Sequence, residues 1–121
     1  MKEISIYHNS RWSKSRESVQ ILNELGIEYN IIDYISNPLD IDELKVLSIK
    51  LDLRPCEFIR SREKDFKDNG LAEFLDNDEI LFEYMSKYPK LIERPIIQNE
   101  NKAIIGRPAE QVRKFFNKDP F

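Results

Sequence analysis

The apolar positions change period along the chain, and each change marks an element. Ile4 and Ile6 alternate with polar neighbours and lead through Tyr7 to His8, which predicts a short strand leaving into a polar loop. Val19, Leu22 and Leu25 then follow at helical spacing until Gly26, the residue type that suits a helix C′ position. Residues 28–34 (EYNIIDY) predict a second strand. Asn37-Pro38 predicts a helix start with proline at the first helical position and Asp40 in the first turn. Ile41, Leu44, Leu47 and Leu51 carry that helix to about residue 52. Arg54-Pro55 restarts the chain, and residues 56–61 predict another short helix. Residues 62–76 are charged, punctuated by Gly70, and predict a connector with one helical turn. Asp76 and Glu79 have the spacing of a capping box. Ile80, Leu81, Tyr84, Met85 and Tyr88 then mark an amphipathic helix, its tyrosine side read as core and its end set by Pro89. Two β-type runs, 95–98 and 102–105, flank Asn99-Glu100-Asn101 and predict a hairpin. Gly106-Arg107-Pro108 opens a last helix that turns Val112, Phe115 and Phe116 inward.

The order is βαβ, a helical stretch, then ββα. A βαβ start implies two parallel strands joined by a right-handed crossover, and the hairpin adds antiparallel strands to the same sheet. The fold class is therefore α/β: a four-stranded mixed sheet with a helical insertion between strands two and three, at about 37–90, in a single domain of 1–121. Apolar residues make up 40% and charged residues 34%, which suits a globular core and excludes a disordered chain. A formal net charge of -3 gives no electrostatic reason to bind nucleic acid or an acidic membrane. No apolar run approaches a membrane span and MKEISIYH lacks a signal-peptide core, so the cytoplasm is the expected compartment. One cysteine, Cys56, excludes an internal disulfide and a CxxC couple.

Chemistry is expected at the first loop. A strand that feeds a loop opening a helix offers unpaired N–H groups and a positive dipole end, which suit an anion or a low-pKa thiolate. The residue in the middle of that loop is Trp12, which is neither. His8 at the strand exit could tune a thiolate, but structural hydrogen bonding is the more economical role; no metal-ligand spacing occurs anywhere. Lys14 and Arg16 add positive charge where the dipole disfavours it, either as a solvated face or for steering an anion. Cys56, four residues before Arg60, would share a helix face with it at about 5–6 Å between Cβ atoms. With Arg54 also near, that could lower the thiol's pKa, against the plainer reading of a small buried hydrophobe.

The segments IYHNSRWSKSR (6–16), IRSRE (59–63), NGLAE (69–73), LIERPII (91–97) and IGRPAEQV (105–112) together resemble the glutaredoxin-linked arsenate reductase family, the ArsC family, over essentially the whole chain. Within it the chain looks closer to short, uncharacterised members than to long resistance enzymes. The resemblance implies a thioredoxin-like fold and reduction of arsenate to arsenite, with glutathione as co-substrate, glutaredoxin as partner and no bound cofactor. It implies an HN-P-x-C loop whose cysteine thiolate attacks arsenate, and three arginines that hold the tetrahedral oxyanion. Those arginines fall at Arg60, Arg94 and Arg107, the loop-adjacent histidine at His8, and the cis-proline candidate at Pro95. Two residues depart from the pattern: Ser10 stands for proline and Trp12 for the nucleophilic cysteine. Indole has one N–H donor and no redox-active sulfur, so it performs none of the family's covalent steps. Three readings stay open: natural loss of activity, which leads; an altered copy of an active gene; and chemistry moved elsewhere. The rival from a different class is a Spx-type regulatory or protein-binding module, for which an exposed Trp12 would serve as a contact.

Overall fold

The alternation at Ile4 and Ile6 becomes strand β1 (Ser5–Tyr7) in the computed structural model of the chain, which describes residues 3–7, 13–107 and 110–117, the side chains of 13–15 and 117 apart. β2 (Asn30–Ile32) runs parallel to β1, while β3 (Ile96–Gln98) is antiparallel to β1 and to β4 (Ala103–Ile105). The sheet order is β2-β1-β3-β4, so the mixed sheet expected from the element order is present, and the fold is α/β of the thioredoxin-like kind. Asn99 closes the hairpin. Its Oδ1 accepts from the backbone N–H groups of Asn101 and Lys102, both at 2.8 Å, and its own N–H donates to Lys102 O.

The chain divides into two compact units, one of residues 1–33 with 94–121 and one of residues 34–93. In the sheet unit, helix α1 (Ser13–Glu24) packs on helix α6 (Glu110–Asn117), which also packs on β4. Ile4, Ile6, Ile21, Leu22, Ile97, Val112 and Phe115 form its core. Ile6 and Ile97 sit opposite each other in the register and both are fully buried. Each such side chain contributes roughly 1.5–3 kcal/mol from burial. Gly26, at φ +70°, ends α1 as expected: Gly26 N–H donates to Asn23 O and Ile27 N–H to Leu22 O, the paired bonds of a Schellman closure. Arg113 of α6 reaches Glu24 of α1 at 2.7 Å.

The helical unit lies in sequence between β2 and β3 and departs from the expected boundaries in four places. Helix α2 (Ile41–Leu51) starts after Asp40, three residues beyond Pro38. Asp40 is the N-cap: its carboxylate accepts from Glu43 N–H at 2.8 Å while Glu43 accepts from Asp40 N–H at 3.0 Å. That reciprocal pair satisfies two otherwise orphan donors, which a proline start does not. Helix α3 (Pro55–Phe58) ends early because Ile59 is extended and bridges Ile92. The expected connector at 62–76 instead holds helix α4 (Lys64–Asp68) and a 3-10 turn at Leu71–Phe74, anchored by buried Phe66 and Leu71. Helix α5 (Asp78–Lys87) is capped by Asn77, which accepts from Ile80 N–H, and not by an Asp76–Glu79 box. Asp76 instead offers its carbonyl to Arg54 Nη2.

Helix α5 buries Leu81, Phe82 and Met85 and packs on α2 and α3. Tyr84 and Tyr88, read as core, are only half-buried; they stack on each other at 6.2 Å with Lys87 over the Tyr88 ring. No helix among the described residues is long and apolar enough to cross a membrane.

Candidate functional site

The sheet has one end that gathers candidate chemistry, and its register says which residues meet there. Tyr7, the last residue of β1, pairs with Ile96, and Ile96 pairs with Ile105. The ladder continues one step further, because Gly106 N–H donates to Pro95 O at 2.8 Å. Arg94 directly precedes Pro95 and Arg107 directly follows Gly106. Both arginines therefore leave the sheet at the end where β1 gives way to the first loop. Nε and Nη1 of Arg94 are enclosed away from solvent, whereas Arg107 is exposed. The Arg94-Pro95 peptide bond is cis. A guanidinium matches an oxyanion with paired N–H donors.

Packing behind this end depends on a glycine. A Cβ at Gly106 would stand 2.8 Å from Ser18 Oγ and 3.2 Å from both Pro95 Cγ and Val112 Cγ2. Residue 106 therefore has room for no side chain where α1, α6 and the start of β3 converge. Ser18 is fully buried and its hydroxyl donates to Gly106 O at 3.5 Å. Sequence reasoning did not single out Ser18. The one signal was its place on the α1 face between Val19 and Leu22 and the helix start.

Arg60 belongs to the helical unit. Its backbone N–H donates to Leu91 O at 2.7 Å, and Glu93 N–H donates to Phe58 O at 2.9 Å, on either side of the Ile59–Ile92 bridge. The guanidinium is half-buried, with Nη1 at 2.9 Å from Glu63 Oε2 and Nε at 3.8 Å from Glu93 Oε1. This arrangement corrects the expectation for Cys56. Because α3 stops at Phe58, Cys56 and Arg60 do not share a helix face, and Arg60 is directed toward two carboxylates. Arg54 is likewise engaged: its Nη2 lies 2.8 Å from Asp78 Oδ1. That hydrogen bond, reinforced by the charge of Asp78, holds the Arg54 guanidinium above its ordinary pKa, with Cys56 and Asp76 adding smaller contributions. Cys56 itself is a half-buried free thiol in α3.

His8, Ser10, Trp12 and Pro108 lie outside the described residues, as does the side chain of Lys14. Arg16 is exposed on α1. Among the described residues no group of three His, Cys, Asp or Glu side chains could hold a metal ion. The described chemistry of the sheet end is thus cationic, and the one cysteine of the chain, Cys56, belongs to the helical unit.

Comparison with known proteins follows the same line. The model of the ArsC family matches residues 7–115. An arsenate reductase of Neisseria meningitidis serogroup B is 40% identical over 114 residues, covering 93% of this chain and 97% of its own length. An uncharacterised Escherichia coli K12 protein, YfgD, is 41% identical over 112 residues, covering 92% and 94%. Among solved structures, an arsenate reductase from Vibrio cholerae superposes with a TM-score of 0.88 at 38% identity, covering 93% of this chain and 97% of that one.

Proposed function

The chain belongs to the ArsC family, and on that footing we propose that it is an arsenate-reductase-like protein that keeps an arginine oxyanion site and lacks the thiol meant to react there. Arg60, Arg94 and Arg107 bind the tetrahedral oxyanion and offset its charge. The reaction class is reduction of arsenate to arsenite, with glutathione as co-substrate and glutaredoxin as the partner that resets it. That chemistry needs a soft nucleophile at position 12, to bond arsenic and then leave as a disulfide with glutathione. Trp12 supplies neither a thiolate nor a redox couple. The chain as written is therefore inactive or severely impaired as a reductase.

The observation that carries this reading is the contrast between a full arginine set and the absent sulfur, in a chain that aligns along nearly its whole length with arsenate reductases. Relocation to Cys56 gains no support, since Arg54 is turned to Asp78 and Arg60 to Glu63 and Glu93. A Spx-type regulatory role is not favoured either, because relatives that align over more than nine-tenths of the chain are named arsenate reductases.

The test couples the purified protein to glutathione, glutaredoxin and NADPH. The unaltered chain is expected to show no arsenate-dependent NADPH consumption, and Trp12→Cys is expected to create it. Turnover by the unaltered chain overturns the inactivity; a silent Trp12→Cys variant that also fails to bind arsenate overturns the oxyanion site. Trp12 is the only tryptophan, so its fluorescence reports anion binding directly.

A further inference from the structure

Arg60 differs from the other two arginines in its company. Glu63 occupies the N-cap position of α4, yet its carboxylate makes no capping hydrogen bond and reaches back to Arg60 Nη1 at 2.9 Å. Glu93 comes from a distant stretch of chain. The bridge at Ile59–Ile92, with its flanking backbone bonds, sets Glu93 diagonally across from Arg60. All three side chains are partly open, at 19%, 26% and 27% exposure for Arg60, Glu63 and Glu93. A residue meant only to attract anions gains nothing from two carboxylates on its flanks, because like charge repels an incoming oxyanion.

We infer that Glu63 and Glu93 are specificity-determining residues, which make the Arg60 site selective for tetrahedral oxyanions that carry a hydroxyl. This inference rests on the reading of Arg60 as an oxyanion ligand. At neutral pH arsenate and phosphate each retain at least one O–H, and sulfate has none. A hydroxyl-bearing anion donates that O–H to a carboxylate oxygen while its charged oxygens accept from the guanidinium. Sulfate can only accept, so the same carboxylates face it as uncompensated negative charge. The two glutamates thus turn a nonselective cation into a site that counts protons on its ligand. Glu63 and Glu93 touch the ligand and carry no part of the chemistry at position 12.

The experiment is calorimetric titration of the unaltered chain with arsenate, phosphate and sulfate at pH 7 and low ionic strength. Arsenate and phosphate are expected to bind at least about tenfold more tightly than sulfate, the effect of one hydrogen bond to a charged group. Glu63→Gln and Glu93→Gln keep the side-chain size but offer an N–H₂ donor to sulfate. Each is expected to narrow the preference to about threefold or less, mainly by tightening sulfate, with arsenate affinity changed far less. Circular dichroism checks that each variant folds, and two separate variants guard against the failure of one. If sulfate binds the unaltered chain as tightly as phosphate, the selectivity is absent and the inference is overturned while the arginine site stands. The same holds if both variants keep the full preference, for then the glutamates only brace Arg60. If no anion binds, and Arg60→Ala changes nothing, the oxyanion reading falls and takes this inference with it.

Discussion

The sheet unit and the helical unit solve the same problem by opposite means. In the first, β1, β3 and β4 are locked by consecutive backbone pairs, and isoleucines facing across the register fill the space behind them. In the second, four short α-helices and two 3-10 turns are held by what happens at their ends: an Asp40–Glu43 capping box, an Asn77 cap, a hydroxyl bond from Ser86 to Leu39 O at 2.6 Å, and a single bridge at Ile59–Ile92. A ladder distributes error over many bonds, whereas a cap concentrates it in one. The candidate arginines inherit these differences, since Arg94 and Arg107 flank the Pro95–Gly106 bond at the end of a ladder and Arg60 lies beside an isolated bridge.

The largest effect is expected where the sheet unit leaves no space. Gly106→Ala places a methyl 2.8 Å from buried Ser18 Oγ and 3.2 Å from two further carbons. Overpacking of this kind costs about 2 kcal/mol, read as a lowered midpoint in urea. Ser18→Ala combined with Gly106→Ala should recover part of that loss, because the nearest clashing atom is gone. A Gly106→Ala chain as stable as the parent would mean that α1 and α6 part easily at this point, and the ladder would not be the rigid partner in the comparison.

A cap in the helical unit comes next. Asp40→Ala removes the side-chain half of the reciprocal pair and leaves Glu43 to accept from the backbone N–H of residue 40, for a cost of about 1 kcal/mol. The mark of a local device is where the loss is felt. Amide exchange should speed up in the first turn of α2, at Asp42 to Lys45, and leave the β1–β3 amides unchanged at the same denaturant concentration. Equal acceleration in the sheet would show that the two units open as one.

These two kinds of support also explain what could be read from the chain beforehand. Alternation at Ile4 and Ile6, the Asn99 turn and the positions of Val112 and Phe115 were legible because strand period and turn chemistry are local properties. Helix starts in the other unit were not. Asn37, Asp40, Asp76 and Asn77 are all competent caps, and the choice among them is made by distant partners such as Arg54, which takes Asp76 O and Asp78 Oδ1. The pairing of Cys56 with Arg60 was misread for the same reason, since Ile92 lies far along the chain and its bridge to Ile59 cuts the helix short. Arg60, Arg94 and Arg107 were recognisable only by family resemblance, as scattered arginines have no periodicity to betray them. Glu63 and Glu93 stood only as members of the family segments 59–63 and 91–97, with no role of their own, and Ser18 carried no signal beyond its size; what they touch comes from tertiary contact alone.

The smallest expected effect makes the sharpest test, because the same motif closes a helix in each unit with a different residue. Gly26 at φ +70° ends α1, and Asp52 at φ 57° ends α2. In both, the residue's N–H bonds a carbonyl three residues back and the next N–H bonds one five residues back. An L-residue in this conformation is strained by about 1–2 kcal/mol, less for aspartate, whose short side chain tolerates it. Glycine avoids the strain but has more freedom to lose on folding, by roughly 0.5–1 kcal/mol. The balance favours glycine by about 0.5 kcal/mol, so Asp52→Gly should stabilise and Gly26→Asp should destabilise by similar amounts. Nothing lies within 4 Å of a Cβ built at Gly26, so that substitution reads backbone strain without a clash. If the two changes are equal and opposite, the caps of both units obey one local rule, and the contrast between the units resides in the ladder. If Gly26→Asp is several times more costly than Asp52→Gly is favourable, the sheet unit amplifies strain at its helix ends, and the division between ladder and cap is less clean than the hydrogen bonds suggest.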